Sequence, residues 1–167
     1  TVLSTGGIKI DKWFFPDWKA GGHGVTNVYK AIADSVNTFF YTIGGGTDTF
    51  EGLGIDRMTQ YARTFGLGAP TGIDLPGERG GFLPSKAWKE QAKNEPWYIG
   101  DTYHFAIGQG DLLVTPLQMA LATATLANGG ILYKPHVAKT FQIGDGTEAK
   151  NVEATVVREH VDSAEAV

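Results

Sequence analysis

The sequence predicts a mainly α-helical chain with a little β-strand at both ends. Between residues 25 and 130, apolar residues recur at helical spacing in several segments. The two ends instead carry short extended stretches interrupted by Gly and Pro. With 167 residues and 42% hydrophobic residues, the chain has enough apolar material for a folded core. We therefore divide it into an entry segment (1–24), a helical subdomain (25–130) and a strand-containing end (131–167).

The entry segment is predicted to contain short strands and turns. Four aromatic residues surround Pro16, namely Trp13, Phe14, Phe15 and Trp18. Aromatic residues at this density on a loop form a binding surface or, more often, anchor the loop to a core. We expect anchoring here.

Three helices are predicted between residues 26 and 65. Thr26 or Asn27 can cap the first helix, whose pattern pauses at Asp34 and Ser35. The second carries Phe39, Phe40 and Ile43 and stops at three consecutive glycines, 44–46. The third covers 55–65 and stops at Gly66.

The second half begins with a loop rich in Gly and Pro, residues 71–85, after which Ser85 can cap a short helix. Thr115 is predicted to cap a further helix with Pro116 in its first position, which runs to Asn128. A strand interrupted by Pro135 follows, and from residue 144 we expect a hairpin and the start of a helix. Because the sequence shows no partner strands for either end, we expect the sheet to lie in sequence outside this chain.

Composition excludes several classes of function. The formal net charge is −4 and charges of both signs are dispersed, so no basic surface for nucleic acid is expected. Cysteine is absent, which excludes disulfides and thiolate chemistry. No apolar run approaches the ~20 residues of a membrane helix. Because the chain starts at Thr1 rather than Met, we expect a fragment with its targeting segment upstream.

The triplet Ser35-Val36-Asn37 lies where two predicted helices meet. A hydroxyl beside a carboxamide suits proton transfer next to an amide-binding contact, since the pair offers both donors and acceptors. Alternatively, Ser35 or Asn37 caps the helix that begins near Thr38. The residues alone favour the cap.

Longer segments change that balance. The stretches GGHGVTNVYKAIADSVNTFFY, YARTFGLGAPTGIDLPGERGGFLPS, IGQGDLLVTPLQMALATATLANGG and YKPHV occur in this order. They resemble the transpeptidase domain of class B penicillin-binding proteins, most closely the elongation-type penicillin-binding protein 2. This family uses the motifs Ser-x-x-Lys, Ser-x-Asn and Lys-Thr-Gly. Only the second is present, as residues 35–37, so the chain is interpreted as the region between the other two motifs.

The resemblance implies an α/β parent domain of the serine β-lactamase and penicillin-binding transpeptidase type. It further implies a D,D-transpeptidase that cross-links peptidoglycan stem peptides through a serine acyl-enzyme and is inhibited by β-lactams. By this analogy Ser35 and Asn37 are catalytic, Asn37 also binds substrate, and Gln109 is a further substrate-binding candidate. The fragment alone is expected to be inactive, because it lacks the nucleophile.

The same resemblance implies a location at the periplasmic face of the bacterial inner membrane, with membrane proteins of the elongation machinery as partners. No cofactor is expected. Two alternatives remain: a non-catalytic scaffold or sensor related to the family, and a β-lactamase-type hydrolase on the same fold.

The entry segment also contains candidate metal ligands. Some members of the family hold zinc with the equivalents of Asp17 and His23 together with a Cys inside the Ser-x-Asn triplet. Here that triplet position is Val36, which cannot ligate a metal. We therefore reject a metal site and expect His23 to be a structural residue in a Gly-rich turn.

Overall fold

The structure is a computed structural model that describes residues 1–143 and 148–161. Its helices are α1 (Val28–Ala33), α2 (Asn37–Gly45), α3 (Gly54–Thr64), α4 (Lys86–Lys93), α5 (Ile99–Ala106) and α6 (Pro116–Ala127). Its strands are β1 (Val2–Ser4), β2 (Gly7–Ile10), β3 (Trp13–Pro16), β4 (Gly24–Thr26), β5 (Leu132–Tyr133), β6 (Thr140–Ile143), β7 (Glu148–Asn151) and β8 (Val156–Arg158). The chain is thus mostly helical with strands at both ends, as predicted.

The strands form antiparallel pairs within the chain. β1 pairs with β4, and β2 pairs with β3, so that Ile8 lies opposite Phe15. At the other end, β5 pairs with β8 and β6 pairs with β7. The expectation that the end strands lack partners here was therefore wrong. The hairpin predicted from residue 144 was wrong in its pairing, since the strands in that stretch, β7 and β8, pair with β6 and β5 and not with each other. The predicted helix start has no counterpart among residues 148–161, and the rest of the tail lies outside the described residues.

The chain folds into two compact units, each built from two separate stretches of sequence. The first comprises residues 1–59 and 84–112, and the second comprises residues 60–83 and 113–167. The Ser-x-Asn triplet, Asp17, His23 and Gln109 all belong to the first unit. No helix in the described part of the chain is both long and apolar enough to cross a membrane.

The core of the first unit lies between α2, α5 and the β2–β3 ribbon. Ile8, Tyr41 and Tyr103 form a buried cluster, and the Phe15 ring meets the Tyr103 ring edge-on at 4.9 Å between centroids. Gly45 permits the close approach of the Tyr103 ring to α2, because a Cβ at this position would clash with the ring.

Of the four aromatic residues around Pro16, only Phe15 anchors the entry segment to this core. Trp13, Phe14 and Trp18 are exposed by 60–64%. The expectation that the whole cluster anchors a loop was therefore wrong for Trp13 and Phe14, whereas Trp18 is tied through its indole N–H to the carbonyls of Asp34 and Ser35. The alternating sides of a strand explain part of this outcome, since Phe14 and Phe15 point to opposite faces of β3.

Predicted helix starts were accurate at α1 and α4, where an Asn or Ser side chain caps the helix. Asn27 accepts the Lys30 N–H at 2.9 Å and begins α1, and Ser85 accepts the Trp88 N–H at 3.2 Å and begins α4. Helix α5 was not predicted. Its first turn is tied by Asp101, whose carboxylate accepts the Tyr98 N–H at 2.8 Å.

The second unit is organised around α6. Thr115 caps this helix, and Gln118 in its first turn is fully buried. The Gln118 amide donates to the carbonyls of Ala69 and Gly80, both at 2.7 Å. These bonds fasten the loop of residues 69–80 to the start of the helix.

Candidate functional site

The Ser-x-Asn triplet lies at the junction of α1 and α2, and the end of α1 sets its conformation. Ser35 follows the C-cap Asp34 and has φ +52°, in the left-handed region. The Val36 N–H donates a hydrogen bond to the Ala31 carbonyl at 3.0 Å, which completes a Schellman-type helix end. Gly or Asn usually occupies this position, and a serine there costs about 1 kcal/mol. The backbone is therefore strained at the motif residue.

Val36, the middle residue of the triplet, fixes the junction to the core. Its side chain has no exposed surface and packs with Ala31 and Phe39. A hydrophobic contact of this kind commonly accompanies a Schellman end. With Val36 buried, Ser35 remains exposed and Asn37 remains half-buried.

Neither polar side chain of the triplet caps a helix. The N-cap of α2 is Val36, which provides no side-chain hydrogen bond, and Asn37 is the first helical residue. Within residues 1–143 and 148–161, the Ser35 hydroxyl and the Asn37 carboxamide have no protein hydrogen-bond partner. The capping interpretation that the residues alone favoured was therefore wrong.

The carboxylate of Asp17 supplies the missing cap. Its Oδ2 accepts hydrogen bonds from the Thr38 N–H at 2.9 Å and from the Thr38 hydroxyl at 2.7 Å, across 21 positions of sequence. Its Oδ1 accepts the Trp18 N–H at 2.8 Å. Burial is the largest influence on the pKa of Asp17 and raises it. The hydrogen bonds from Thr38, Trp18 and Asn37 together outweigh burial and hold the pKa below its ordinary value.

Trp18 contacts the opposite side of the junction. Its indole Nε1–H lies 3.0 Å from the Asp34 carbonyl oxygen and 3.0 Å from the Ser35 carbonyl oxygen, and donates to both. Carbonyls at a helix C-terminus lack intrahelical partners, so this N–H satisfies groups that would otherwise depend on water.

His23 lies next to Asp17 and Trp18, and its side chain is only 2% exposed. Its ring meets the Trp18 ring edge-on at 5.1 Å, and its backbone N–H donates to the Ser4 hydroxyl at 3.3 Å. The Nε2 atom is 3.6 Å from an Asp17 carboxylate oxygen and has no hydrogen-bond partner among the described residues.

The same residues bear on the rejected metal site. Asp17 and His23 do lie together, as the family resemblance implied, with the Asp34 carboxylate 3.9 Å from the other ring nitrogen of His23. The part of the chain that the structure describes contains no group of three His, Cys, Asp or Glu side chains that could hold a metal ion. Val36 is buried, and it stands at the triplet position where the zinc-binding members of the family are said to carry a Cys. The absence of a metal here stays a prediction.

Gln109 lies in a turn after α5. Its N–H donates to the His104 carbonyl at 2.8 Å, and its side chain is exposed. The flanking Gly108 and Gly110 have φ values of +74° and +78°, which explains why glycine brackets this residue. No hydrogen bond in the described structure joins Gln109 to Ser35 or Asn37, so its substrate-binding role stays a prediction.

Sequence reasoning missed the positions that hold the triplet. Asp17 was considered only as a metal ligand, and Trp18 only as one member of an aromatic cluster. Neither has a local sequence signal for its contact with the junction, since the hydrogen bonds from Trp18 span 16 and 17 positions and those to Asp17 span 21.

Comparison with known proteins identifies the family. The family model for the penicillin-binding protein transpeptidase domain matches residues 2–166. The chain belongs to this family. The resemblance drawn from the sequence is confirmed.

Relatives place it near penicillin-binding protein 2. The peptidoglycan D,D-transpeptidase MrdA of Acinetobacter baumannii is 41% identical over 146 residues, which are 84% of this chain and 21% of that protein. MrdA of Escherichia coli K12 is 42% identical over 123 residues, covering 74% of this chain and 18% of its own. The chain therefore spans about a fifth of the length of these relatives.

Solved structures agree. Penicillin-binding protein 2 of Helicobacter pylori, in a complex with MreC, has a TM-score of 0.73 and 38% identity over 90% of this chain and 26% of its own. Pseudomonas aeruginosa penicillin-binding protein 2, in complex with WCK 5153, has a TM-score of 0.75 and 32% identity over 91% of this chain and 34% of its own. The fold class is therefore that of the α/β penicillin-binding transpeptidase domain.

Proposed function

We propose that this chain is the Ser-x-Asn region of a peptidoglycan D,D-transpeptidase, and that Ser35 and Asn37 act in catalysis. One observation carries the assignment of these residues. Their polar groups make no hydrogen bond within the described protein, although they lie at a helix start where such groups ordinarily become caps. Asp17 caps α2 instead, so the hydroxyl and the carboxamide remain available to a ligand.

In the mechanism we propose, the nucleophile lies outside this chain. No serine here is followed by lysine three positions later, so the Ser-x-x-Lys serine and lysine must come from the rest of the protein. The serine attacks the carbonyl between two D-alanines of a stem peptide while the lysine accepts its proton. An ester to the serine forms, and the terminal D-alanine leaves with a proton on its amine.

Ser35 is proposed to relay that proton. A hydroxyl accepts one proton and donates another, so it can pass the proton from the lysine to the departing nitrogen without a net change. The amine of a second stem peptide then attacks the ester along the reverse route, which forms the cross-link and releases the nucleophile.

Asn37 is proposed to orient the substrate. Its carboxamide offers two N–H donors and one carbonyl acceptor, which suit a peptide bond of the stem and the catalytic lysine. Gln109 is proposed as a secondary contact to the substrate, on the strength of its exposed position between two glycines in the first unit.

The relatives also suggest partners and a location. Since penicillin-binding protein 2 of H. pylori forms a complex with MreC, we propose membrane proteins of the elongation machinery as partners of the whole protein. We likewise propose that it acts at the periplasmic face of the inner membrane, anchored by a segment outside this chain, and that β-lactams acylate it.

Acylation by a fluorescent penicillin tests the function. The protein containing this chain together with a Ser-x-x-Lys motif should become covalently labelled, and excess unlabelled β-lactam should block the labelling. Residues 1–167 alone should not be labelled, because loss of a catalytic serine costs about 10⁶ in turnover. Labelling of the isolated chain, or none of the whole protein, would contradict the proposal. Rapid hydrolysis of a chromogenic cephalosporin would instead favour a β-lactamase.

A further inference from the structure

We propose that Trp18 is a positioning residue for Ser35, acting through its indole N–H on the backbone of the α1–α2 junction. This inference rests on the proposed function, since it concerns the orientation of a group assigned to proton transfer. Trp18 is an exposed residue that lies outside the three signature motifs of the family.

The peptide group between Ser35 and Val36 is held at both ends. Its N–H, on Val36, is bonded to the Ala31 carbonyl at 3.0 Å. Its C=O, on Ser35, accepts the Trp18 indole N–H at 3.0 Å. Because a peptide group is planar and rigid, holding both ends fixes the orientation of the whole plane.

The neighbouring peptide groups are held as well. The Val36 carbonyl accepts the Phe39 N–H at 3.2 Å in the first turn of α2. The Thr38 N–H, which belongs to the peptide after Asn37, is bonded to Asp17 at 2.9 Å. Among these contacts of the described residues, only the Trp18 indole fixes the carbonyl side of the Ser35 peptide. Without it, that carbonyl can tilt and carry the Ser35 side chain with it.

The indole also acts on the strained backbone of the junction. Ser35 has φ +52°, which an L-residue with a Cβ adopts at a cost unless the surroundings hold it. The indole bonds the Asp34 carbonyl at 3.0 Å as well, so one N–H bridges the two carbonyls on either side of the strained residue. This geometry favours the left-handed conformation over an extended one.

Trp18 is itself held in place. Its backbone N–H donates to Asp17 at 2.8 Å, and its ring rests edge-on against the buried ring of His23 at 5.1 Å. The tryptophan is nevertheless 64% exposed. Its contribution to the core is therefore small, and loss of the N–H should alter the junction more than overall stability.

Trp18→Phe tests this role, because it removes the N–H donor and keeps an aromatic ring. Trp13→Phe is the matched control, since Trp13 is 63% exposed on β3 and forms no hydrogen bond with the described residues of the junction. Both variants are made in the whole protein that contains this chain and its Ser-x-x-Lys motif. The measurements are the acylation rate constant and the non-covalent dissociation constant for a fluorescent penicillin, the fraction of active sites, and hydrogen exchange of peptides covering 34–38.

We expect Trp18→Phe to lower the acylation rate constant about fivefold to tenfold, as loss of one orienting hydrogen bond predicts. The dissociation constant and active fraction should stay within about twofold, with faster exchange at residues 34–38. Trp13→Phe should match wild type throughout. Purely structural damage would instead lower the active fraction, and a direct ligand contact would raise the dissociation constant; either result overturns the inference.

The two proposals fail in different ways. If Trp18→Phe acylates at the wild-type rate, the positioning role is overturned while the transpeptidase assignment stands. If the wild-type protein is not acylated, the proposed function is lost and the positioning role with it. The control variant distinguishes a specific effect at the junction from a general effect of replacing an exposed tryptophan.

Discussion

The starts of helices α2 and α6 solve the same problem in opposite ways. At α6, Thr115 Oγ1 accepts the Gln118 N–H at 3.2 Å and Gln118 Oε1 accepts the Thr115 N–H at 3.0 Å, a reciprocal capping box. At α2, the local polar residues Ser35 and Asn37 provide no cap, and Asp17 provides it across 21 positions. Helix α6 is thus capped by residues at its own start, whereas α2 is capped by a carboxylate that is distant in sequence.

The difference shows how polar groups become available for chemistry. At α6, both ends of the Gln118 side-chain amide are hydrogen-bonded within the protein. Its oxygen accepts the Thr115 N–H, and its nitrogen donates to the carbonyls of Ala69 and Gly80. At α2, the cap comes from outside the motif, so the motif's hydroxyl and carboxamide are not consumed by backbone hydrogen bonds. Polar residues at an externally capped helix start are therefore candidates for function, whereas a complete capping box indicates structure.

Ser35→Ala should give the largest effect, a loss of acylation, and it tests whether the polar groups at the start of α2 are functional. Loss of the proposed proton relay should lower acylation of the whole protein about 10³-fold. The melting temperature should stay nearly constant, since the hydroxyl makes no hydrogen bond in the described protein. Stopped-flow acylation and thermal unfolding measure the two quantities. A large loss of stability would show that the hydroxyl is structural after all.

Gln118→Ala should give the largest loss of stability. It removes a fully buried amide and leaves the carbonyls of Ala69 and Gly80 without their donor. We expect the free energy of unfolding to fall by about 3 kcal/mol, with acylation per folded molecule unchanged. Gln91→Ala, at an exposed position of α4, is the control and should cost less than about 0.5 kcal/mol in urea unfolding. An equal cost for both would contradict the capping argument.

Asp17→Asn should weaken the external cap in a pH-dependent way. Because the pKa of Asp17 is lowered in the folded state, its charge stabilises the fold above the ordinary aspartate pKa of about 4. That contribution is lost as the pH falls through the folded-state pKa. We expect the free energy of unfolding of the variant to be about 1–2 kcal/mol below that of wild type at pH 7. This difference should become smaller as the pH falls toward 3.

Thr115→Ala is the matched comparison, since it removes an uncharged cap. Its cost of about 1 kcal/mol should be the same at pH 7 and pH 4. Urea unfolding at several pH values distinguishes the two helix starts. A constant gap for Asp17→Asn would mean that the carboxylate charge has no part in capping α2.

Ser35→Gly should give a small effect on stability that is opposite in sign to those of Gln118→Ala and Asp17→Asn. Glycine adopts φ +52° without strain, so stability should rise by about 0.5 kcal/mol even though the hydroxyl is lost. Asn94→Gly is the control, because Asn94 ends α4 at φ +54° and asparagine already tolerates that conformation. A stability loss on Ser35→Gly would show that the left-handed serine is not strained.

Sequence patterns predicted the features that are encoded locally. The caps Asn27, Ser85 and Thr115 each bond a residue three positions away, so their side-chain types and spacing suffice. Helix α5 has no such Ser, Thr or Asn at its start, and Tyr98 occupies the N-cap position. That is why it was missed.

Pairings between distant positions could not be predicted from one sequence. β1 pairs with β4 through Val2 and Thr26, with a whole hairpin between them, so neither end signals its partner. The candidate site was located only because long segments resemble a known family. The local pattern of Ser35 and Asn37 pointed to a cap, and that interpretation failed because the deciding group, Asp17, lies far away in sequence.

The burial of Val36 has a consequence for how this region can evolve. The two residues proposed to touch ligand are joined by one with no exposed surface, which interlocks with Ala31 and Phe39. Substitutions at those buried positions are expected to shift the backbone of residues 35–37 without altering either side chain proposed to contact ligand. Under the proposed function, selection for β-lactam tolerance could therefore act through buried residues that do not line the proposed site.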